Sequence, residues 1–442
     1  MSTASATAAA SRTDQLQSDY RQFVFPCVKP LYKDPLVLME GRGSIVVDSE
    51  GREYLDFFGG ILTTSLGHCH PEVVARVVEQ ARRLGHTSTL YINQNHVSAA
   101  RRLSEIAPGR LSQSFFTNSG TEAVETAVTL ACIYTGNTEV ISVRHGYSGR
   151  SLLTTNLTGH GSWRPLGSSI PGVKHVMSPY RYRSPLGDLA DPAFLDALAH
   201  DLEDVIQTTT NGRPAAFIAE TIQGVGGYIV PPSGYFQRMI EIVRSYGGLF
   251  ICDEVQAGFG RTGRKWFGIE HWGVEPDIMV MAKGIANGFP VGATITRPEI
   301  AEAWTGKTIS TFGGNAVCMA ATEATLEVMV REDTPGRSEA RGKQLRSGLE
   351  RLSQQHQWIG EVRGMGLMQA LELVEDRKTK EPSSRKARAL LEAAKDEQLL
   401  IGIGGLHNNA IRIGPSMLVT EDEVQEALDR LGRACRRVDS LS

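Results

Sequence analysis

Between residues 248 and 293 two short apolar runs each end on a charged side chain. Leu249 to Cys252 runs into Asp253-Glu254, and Ile278 to Ala282 runs into Lys283-Gly284. Both runs are bounded by Gly or Pro and have the length and residue types of buried strands. Such runs constrain the fold, because strands with no polar side need helices on both faces of the sheet. In open α/β sheets ligands bind beyond the carboxyl ends of the strands. A carboxylate and a lysine at neighbouring strand ends would therefore share one edge. A lysine held there by a tight glycine turn is desolvated and can attack a carbonyl. A buried carboxylate beside it can hold a proton on a heterocyclic nitrogen. Pyridoxal phosphate (PLP) requires both groups. Taken singly, each has a plainer reading: a solvated strand end for the lysine, a turn or cap for the aspartate.

The rest of the chain fits an α/β protein. From residue 112 onward SFFTNSG, EVISVR, AAFIAE, LFICDE and DIMVMA are strand candidates, with helical stretches such as GTEAVETAVTLACIY between several of them. That alternation predicts a mostly parallel sheet with helices on both faces. VGATIT at 291–296 follows its predecessor too closely for a parallel crossover, so it should run antiparallel. Residues 35–65 read as a small antiparallel piece. Pro71 opens a helix, a second helix lies near 95–107, and a long helix leaves from about 315. Residues 330–442 mix helices with strands such as EVRGMGLMQALEL and IRIGPS, and the last helix starts on a capping box, Thr420 with Glu423.

At 442 residues the chain exceeds one typical core. The expected division is a mobile tail at 1–18, an N-terminal segment of a small domain at 19–65, a large domain at 66–328 and the rest of the small domain at 329–442. The tail is small and polar, without a secretory apolar core. A net charge of -3 gives no electrostatic case for nucleic acid or an acidic membrane. Six cysteines without paired spacing read as free thiols in a reducing compartment, hence a cytoplasmic protein. His68-Cys69-His70 precedes Pro71 and reads as a loop entering a helix rather than a metal site.

Further constellations carry chemistry. Asn118-Ser119-Gly120-Thr121 stands at a strand-to-helix junction, where free amides and the helix dipole attract an anion. Ser119 or Thr121 could equally be a plain N-cap. Tyr147, between glycines after a strand, is a stacking ring or a loop tyrosine. Thr311, in STFGGN, belongs to a second anion cradle, a loop crossing between subunits, or a helix cap. Arg412, flanked by isoleucines, is either paired or a carboxylate clamp, with Glu220 as its acidic candidate. Gly258 to Gly263 spells a dinucleotide fingerprint, but DEVQA separates it from the strand, so that reading is rejected.

Together LGHCHPEV, TNSGTEA, AETIQG, CDEVQAGFGRTG, MAKGIANGFPVGA, STFGGN, VRGMGLMQALELV and IRIGPSMLVTEDEV resemble the class III PLP-dependent aminotransferases of fold type I, over about residues 35–438. GHCHP, HTST and the run from VRGMGLM through RIGPSM resemble the type 2 alanine–glyoxylate group and its bacterial relatives. The resemblance implies a seven-stranded sheet with a smaller α+β domain built from both chain ends. It implies that Lys283 forms the Schiff base and that Asp253 pairs with the pyridine nitrogen. Val255 and Tyr147 would pack on the two ring faces, and Gln256 would reach the phenolic oxygen. Ser119, Gly120 and Thr121 would hold the phosphate. Thr311 would reach the phosphate of a partner subunit in a homodimer, which could pair into a tetramer. Arg412 would grip a substrate carboxylate, paired with or released by Glu220. The reaction implied is transfer of an amino group from L-alanine or an ω- or β-amino acid to glyoxylate or pyruvate by a ping-pong route. A lyase or racemase could use the same lysine and aspartate, so the motifs leave that alternative open. Three departures border the pocket: Ser148 stands where His is usual, Thr221 where Pro is usual, and RIGPS where RIAPP-like segments are usual.

Overall fold

A computed structural model describes residues 3–167 and 169–440, with side chains from Arg12 onward. Its centre is a seven-stranded sheet. In spatial order the strands are Gln113–Thr117, Gly292–Thr296, Ile278–Met281, Leu249–Asp253, Ala216–Glu220, Val140–Val143 and Val173–Val176. The last five pair in parallel. Gly292–Thr296 runs against both its neighbours, as the short link after Met281 requires. Side chains alternate between two apolar layers: Phe217, Phe250 and Met279 face one, Ile218, Ile251 and Val280 the other. Each central strand is thus buried on both faces, which is why it reads as a continuous apolar run.

The helices begin where the residues dictate. Pro71 opens Pro71–Arg83. Asn93 caps Gln94–Ile106 through its side chain, and Ser119 caps Gly120–Thr135, which ends on Gly136 in the left-handed conformation. The predicted capping box at Thr420 is formed, with Thr420 N donating to Glu423 Oε2 at 2.8 Å.

A second core joins the two chain ends. Tyr54, Leu55 and Phe57 pack with Leu345, Leu371, Leu390 and Leu431. Leu399–Leu400 adds a parallel strand to Glu53–Asp56, the last of three antiparallel strands from 38 to 56. A separate antiparallel sheet holds Ile359–Met365, Met368–Leu373, Ala410–Ile413 and Gly402–Gly404. The EVRGMGLMQALEL run is therefore a hairpin, not one strand; it turns at Gly366, whose φ is +51°. Residues 1–18, expected as a mobile tail, also differ from that reading. Helix spans Thr3–Phe23, residues 1 and 2 lying outside the described residues. Its alanine-rich start has high helix propensity, and Gln17 Nε2 ties it to Pro35 O at 2.8 Å. No described helix is long and apolar enough to cross a membrane.

Candidate active site

The carboxyl edge of the sheet gathers the predicted side chains. Glu220 and Asp253 end adjacent parallel strands and are register partners. Lys283 lies two residues beyond Met281, on the next strand over. It opens a 3₁₀ turn with φ of +47°, a conformation that costs a non-glycine residue about 1 kcal/mol or more. Asn287 closes this turn, also left-handed, and its side chain accepts from Leu66 N at 2.8 Å and donates to Gly67 O at 2.9 Å. The lysine backbone is thus held by a segment far away in sequence.

These residues face a cavity of about 340 Å³. Ser119, Gly120, Thr121, Tyr147, Val255 and Gln256 line it together with Glu220, Asp253 and Lys283. Burial pushes the Lys283 ammonium below its ordinary range, while the charges of Asp253 and Glu220 oppose that shift and Arg412 adds to it. Burial pushes both carboxyls up. Glu220 is raised further by the charge of Asp253, and amide bonds to Glu220 and Asp253 pull the other way. Asp253 Oδ1 accepts from Val255 N at 2.9 Å, which fixes its carboxylate. A lysine with a depressed pKa is a better nucleophile at neutral pH.

The start of helix Gly120–Thr135 also lines the cavity. Ser119 Oγ accepts from Glu122 N at 3.2 Å, so its hydroxyl serves the helix as an N-cap. A Cβ on Gly120 would sit 3.4 Å from both Val255 Cγ2 and Ala282 Cβ, so the helix start presses on the lysine's strand end. Thr121 Oγ1 accepts from Arg150 N at 3.3 Å. The first amides of a helix have no partner within it and point at an anion. Gln256 is buried beside the cavity, and its Oε1 has no hydrogen-bond partner.

Arg412 does not line this cavity; it is buried on Ala410–Ile413 of the smaller sheet, near enough for its charge to act on Lys283. Nε donates to Ile403 O at 3.2 Å and Nη1 to Gly224 O at 3.4 Å. The guanidinium lies over Phe58 and Tyr228, 5.1 and 5.8 Å from the ring centroids. Of the two arrangements the resemblance allows, Glu220 paired with Arg412 or releasing it, the structure has the released one. Glu220 Oε1 accepts from Tyr147 N and Oε2 from Gly224 N, both at 2.8 Å. The Gly224 peptide stands between the two charges, giving its N–H to one and its C=O to the other. Thr311, like Arg412, is not among the residues that line this cavity. It lines a separate cavity with Asn118 and Glu122.

Phe58, Tyr228 and Asn287 escaped sequence reasoning. The first two come from segments with no local pattern pointing at Arg412; the Asn287-Gly288 dipeptide was the one readable signal. His68-Cys69-His70 is the expected turn: His68 Nε2 lies 2.8 Å from Asp56 Oδ2, and His70 precedes the helix. Residues 258–263 form a loop in which Arg261 is buried and donates to Leu367 O and Pro415 O. That loop carries no helix start, so the fingerprint is excluded.

The chain is similar to known proteins over most of its length. Residues 29–435 match the family described as Aminotransferase class-III. The chain is 41% identical over 420 residues, 94% of it and 87% of the relative, to "Alanine--glyoxylate aminotransferase 2 homolog 2, mitochondrial" of Arabidopsis thaliana. It is 38% identical over 404 residues, 91% of it and 95% of the relative, to the acetylornithine aminotransferase of Methanopyrus kandleri. The omega transaminase of Pseudomonas jessenii solved in complex with PMP superposes with a TM-score of 0.87, at 30% identity, over 92% of this chain and 94% of that one. With a family match over most of its length and a fold-type-I scaffold, the chain belongs to the class III aminotransferases and is a transaminase.

Proposed function

We propose that this transaminase uses PLP to move an amino group from L-alanine, or an ω- or β-amino acid, to glyoxylate or pyruvate by a ping-pong route. One observation carries the reading: Asp253 ends its strand, Lys283 stands two residues beyond the end of the adjacent parallel strand, and both line one cavity together with a helix start. The residues present fit the cofactor. Gly120 and Thr121 offer amides to a phosphate, Val255 and Tyr147 offer faces to a ring, and Gln256 brings an unpartnered polar atom. Asp253 is placed to hold a proton on a pyridine nitrogen. When bound, PLP supplies an electron sink for the substrate's α-carbon. Lys283 Nζ then moves the α-proton as base and acid. Arg412, which has carbonyls and rings around it and no acidic partner within 4 Å among the described residues, is the group to grip a substrate carboxylate. The substrate choice is supported by the printed name of the Arabidopsis relative.

The same reading takes the chain as a homodimer in which Thr311 serves the partner's phosphate site. It divides the chain into a large domain at 66–328 and a small domain from 19–65 and 329–442, with residues 1–18 ahead of both. Six free cysteines support a reducing compartment such as the cytoplasm; the Arabidopsis relative is named mitochondrial.

The test is a half-reaction. L-Alanine without keto acid should bleach the cofactor absorbance of the holoenzyme, and glyoxylate should restore it. Lys283→Ala should do neither. Release of ammonia in place of a recoverable colour change would overturn the aminotransferase reading.

A further inference from the structure

The sequence departs from its family at Thr221, and the structure gives that residue a specific partner. Thr221 follows Glu220 as Glu254 follows Asp253. Successive residues of a strand point to opposite faces, so the two functional carboxylates face the cavity while Thr221 and Glu254 meet behind them. Thr221 Oγ1 donates to Glu254 Oε1 at 2.6 Å. The backbone ladder is weak at this point, with Thr221 N to Asp253 O at 3.3 Å. Beyond it side chains tie the two strand ends: besides the bond to Glu254, Thr221 Oγ1 lies 3.3 Å from Cys252 Sγ.

Glu254 is fully buried and otherwise well anchored. Oε2 accepts from Gly268 N at 3.0 Å and Oε1 from Ile269 N at 2.7 Å, both amides at the start of the 3₁₀ turn Gly268–Trp272. The Cys252 thiol lies 3.6 Å from Oε1. Its backbone is held too, with Glu254 N donating to Val280 O at 2.9 Å on the strand that leads to Lys283. Gly268 closes the back of the arrangement: a Cβ there would meet Thr221 Cγ2 at 2.9 Å. Thr221, Cys252 and these amides are the groups that face the Glu254 carboxyl; burial raises it to about 7, and the hydrogen bonds oppose that rise.

Across the sheet edge, Glu220 and Asp253 are like charges on neighbouring strand ends, and the charge of Asp253 raises the cost of ionising Glu220. Left free, they would splay. We propose that Glu254 and Thr221 are positioning residues: the hydrogen bond between their side chains holds Asp253 and Glu220 at the spacing at which they face Lys283. This rests on the PLP reading of that lysine. The charged groups facing Lys283 are Asp253, Glu220 and Arg412. If the two carboxylates move away, their support for the ammonium weakens while burial and Arg412 still disfavour it. The lysine then becomes neutral, and so nucleophilic, at lower pH.

The experiment follows the rate at which apoenzyme captures PLP on Lys283, trapped by borohydride reduction, as a function of pH. Thr221→Val keeps the shape and removes the donor; Thr221→Ser keeps the donor. In Thr221→Val the midpoint of the capture profile should move to lower pH by roughly half a unit. Thr221→Ser should superimpose on the wild type. Circular dichroism and melting report folding separately. If Thr221→Val does not fold, Thr221→Ala is read by the same criterion. A variant that melts earlier but keeps the wild-type profile overturns the proposal, since the bond would then be structural only. Failure of wild-type apoenzyme to capture PLP at Lys283 would instead sink the PLP reading, and this inference with it.

Discussion

Arg412 is enclosed among carbonyl oxygens and aromatic faces, with no carboxylate within 4 Å among the described residues. Burial lowers its pKa, and Tyr228 and Glu220 oppose that shift. A buried cation with weak partners gains most when an anion arrives. Arg412→Ala should therefore raise KM for carboxylate-bearing substrates by about 10- to 100-fold, the worth of a charge-assisted hydrogen bond. Amine donors that lack a carboxylate should lose little. Arg412→Lys should not restore the acids, because a point charge cannot reproduce the planar fork stacked on Phe58 and Tyr228. Equal losses for both donor classes would remove Arg412 from this role. Lys283 and Asp253 were legible because each ends an apolar run, where local pattern and chemistry coincide. The state of Glu220 was not. The resemblance left it either paired with Arg412 or released; two backbone amides 2.8 Å away hold it released, and amide positions in a loop leave no trace in residue types. Thr221 showed itself only as an odd residue in a familiar motif; its bond to Glu254 needs the strand register.

The sheet order of the last strands illustrates what pattern alone conveys about elements. The antiparallel course of Gly292–Thr296 followed from loop length. What lies behind that strand did not. A Cβ on Gly292 would fall 2.1 Å from Ser119 O and 2.6 Å from Thr117 Oγ1. The strand therefore runs against the turn that delivers the helix start Gly120–Thr135, and it has room there only for a hydrogen. Gly292 is paired with Thr117 across the two strands. Gly292→Ala should push the Ser119 carbonyl away, at an overpacking cost of about 1–3 kcal/mol. The displacement falls on the amides assigned to phosphate. The variant should accordingly lose PLP affinity by equilibrium dialysis, by tenfold or more for about 1.4 kcal/mol. Free pyridoxal, which lacks the phosphate, should bind it nearly as it binds the wild type. An equal loss for both ligands would place the damage elsewhere in the cavity. The EVRGMGLMQALEL run shows the opposite limit: its apolar alternation continues across a hairpin, so periodicity could not reveal the turn at Gly366.

At the scale of the whole molecule, one predicted contact is not made within the chain. Thr311 lines a cavity beside Asn118 and Glu122 rather than the one that holds Lys283. Beside it Ile309 and Phe312 are more than half exposed, and Leu90, Tyr91 and Ile92 are further large apolar side chains left in solvent. Apolar patches of this kind mark association surfaces, and a two-fold dimer presents the same patch twice. In such a dimer each site joins Lys283 of one subunit to Thr311 of the other. Mixing two defective chains tests that arrangement directly. Lys283→Ala homodimers lack the nucleophile in both sites. Thr311→Ala homodimers keep it but lose a phosphate contact in both, so at limiting PLP they should be poorly loaded. In a mixed dimer the site that retains Lys283 receives the intact Thr311 of the Lys283→Ala subunit and is complete. Random reassortment of equal amounts makes half the dimers mixed, each with one complete site. Activity at limiting PLP should therefore recover to roughly a quarter of the wild-type value per site. If Thr311 instead serves its own chain, the mixture should give no more than the average of its two components.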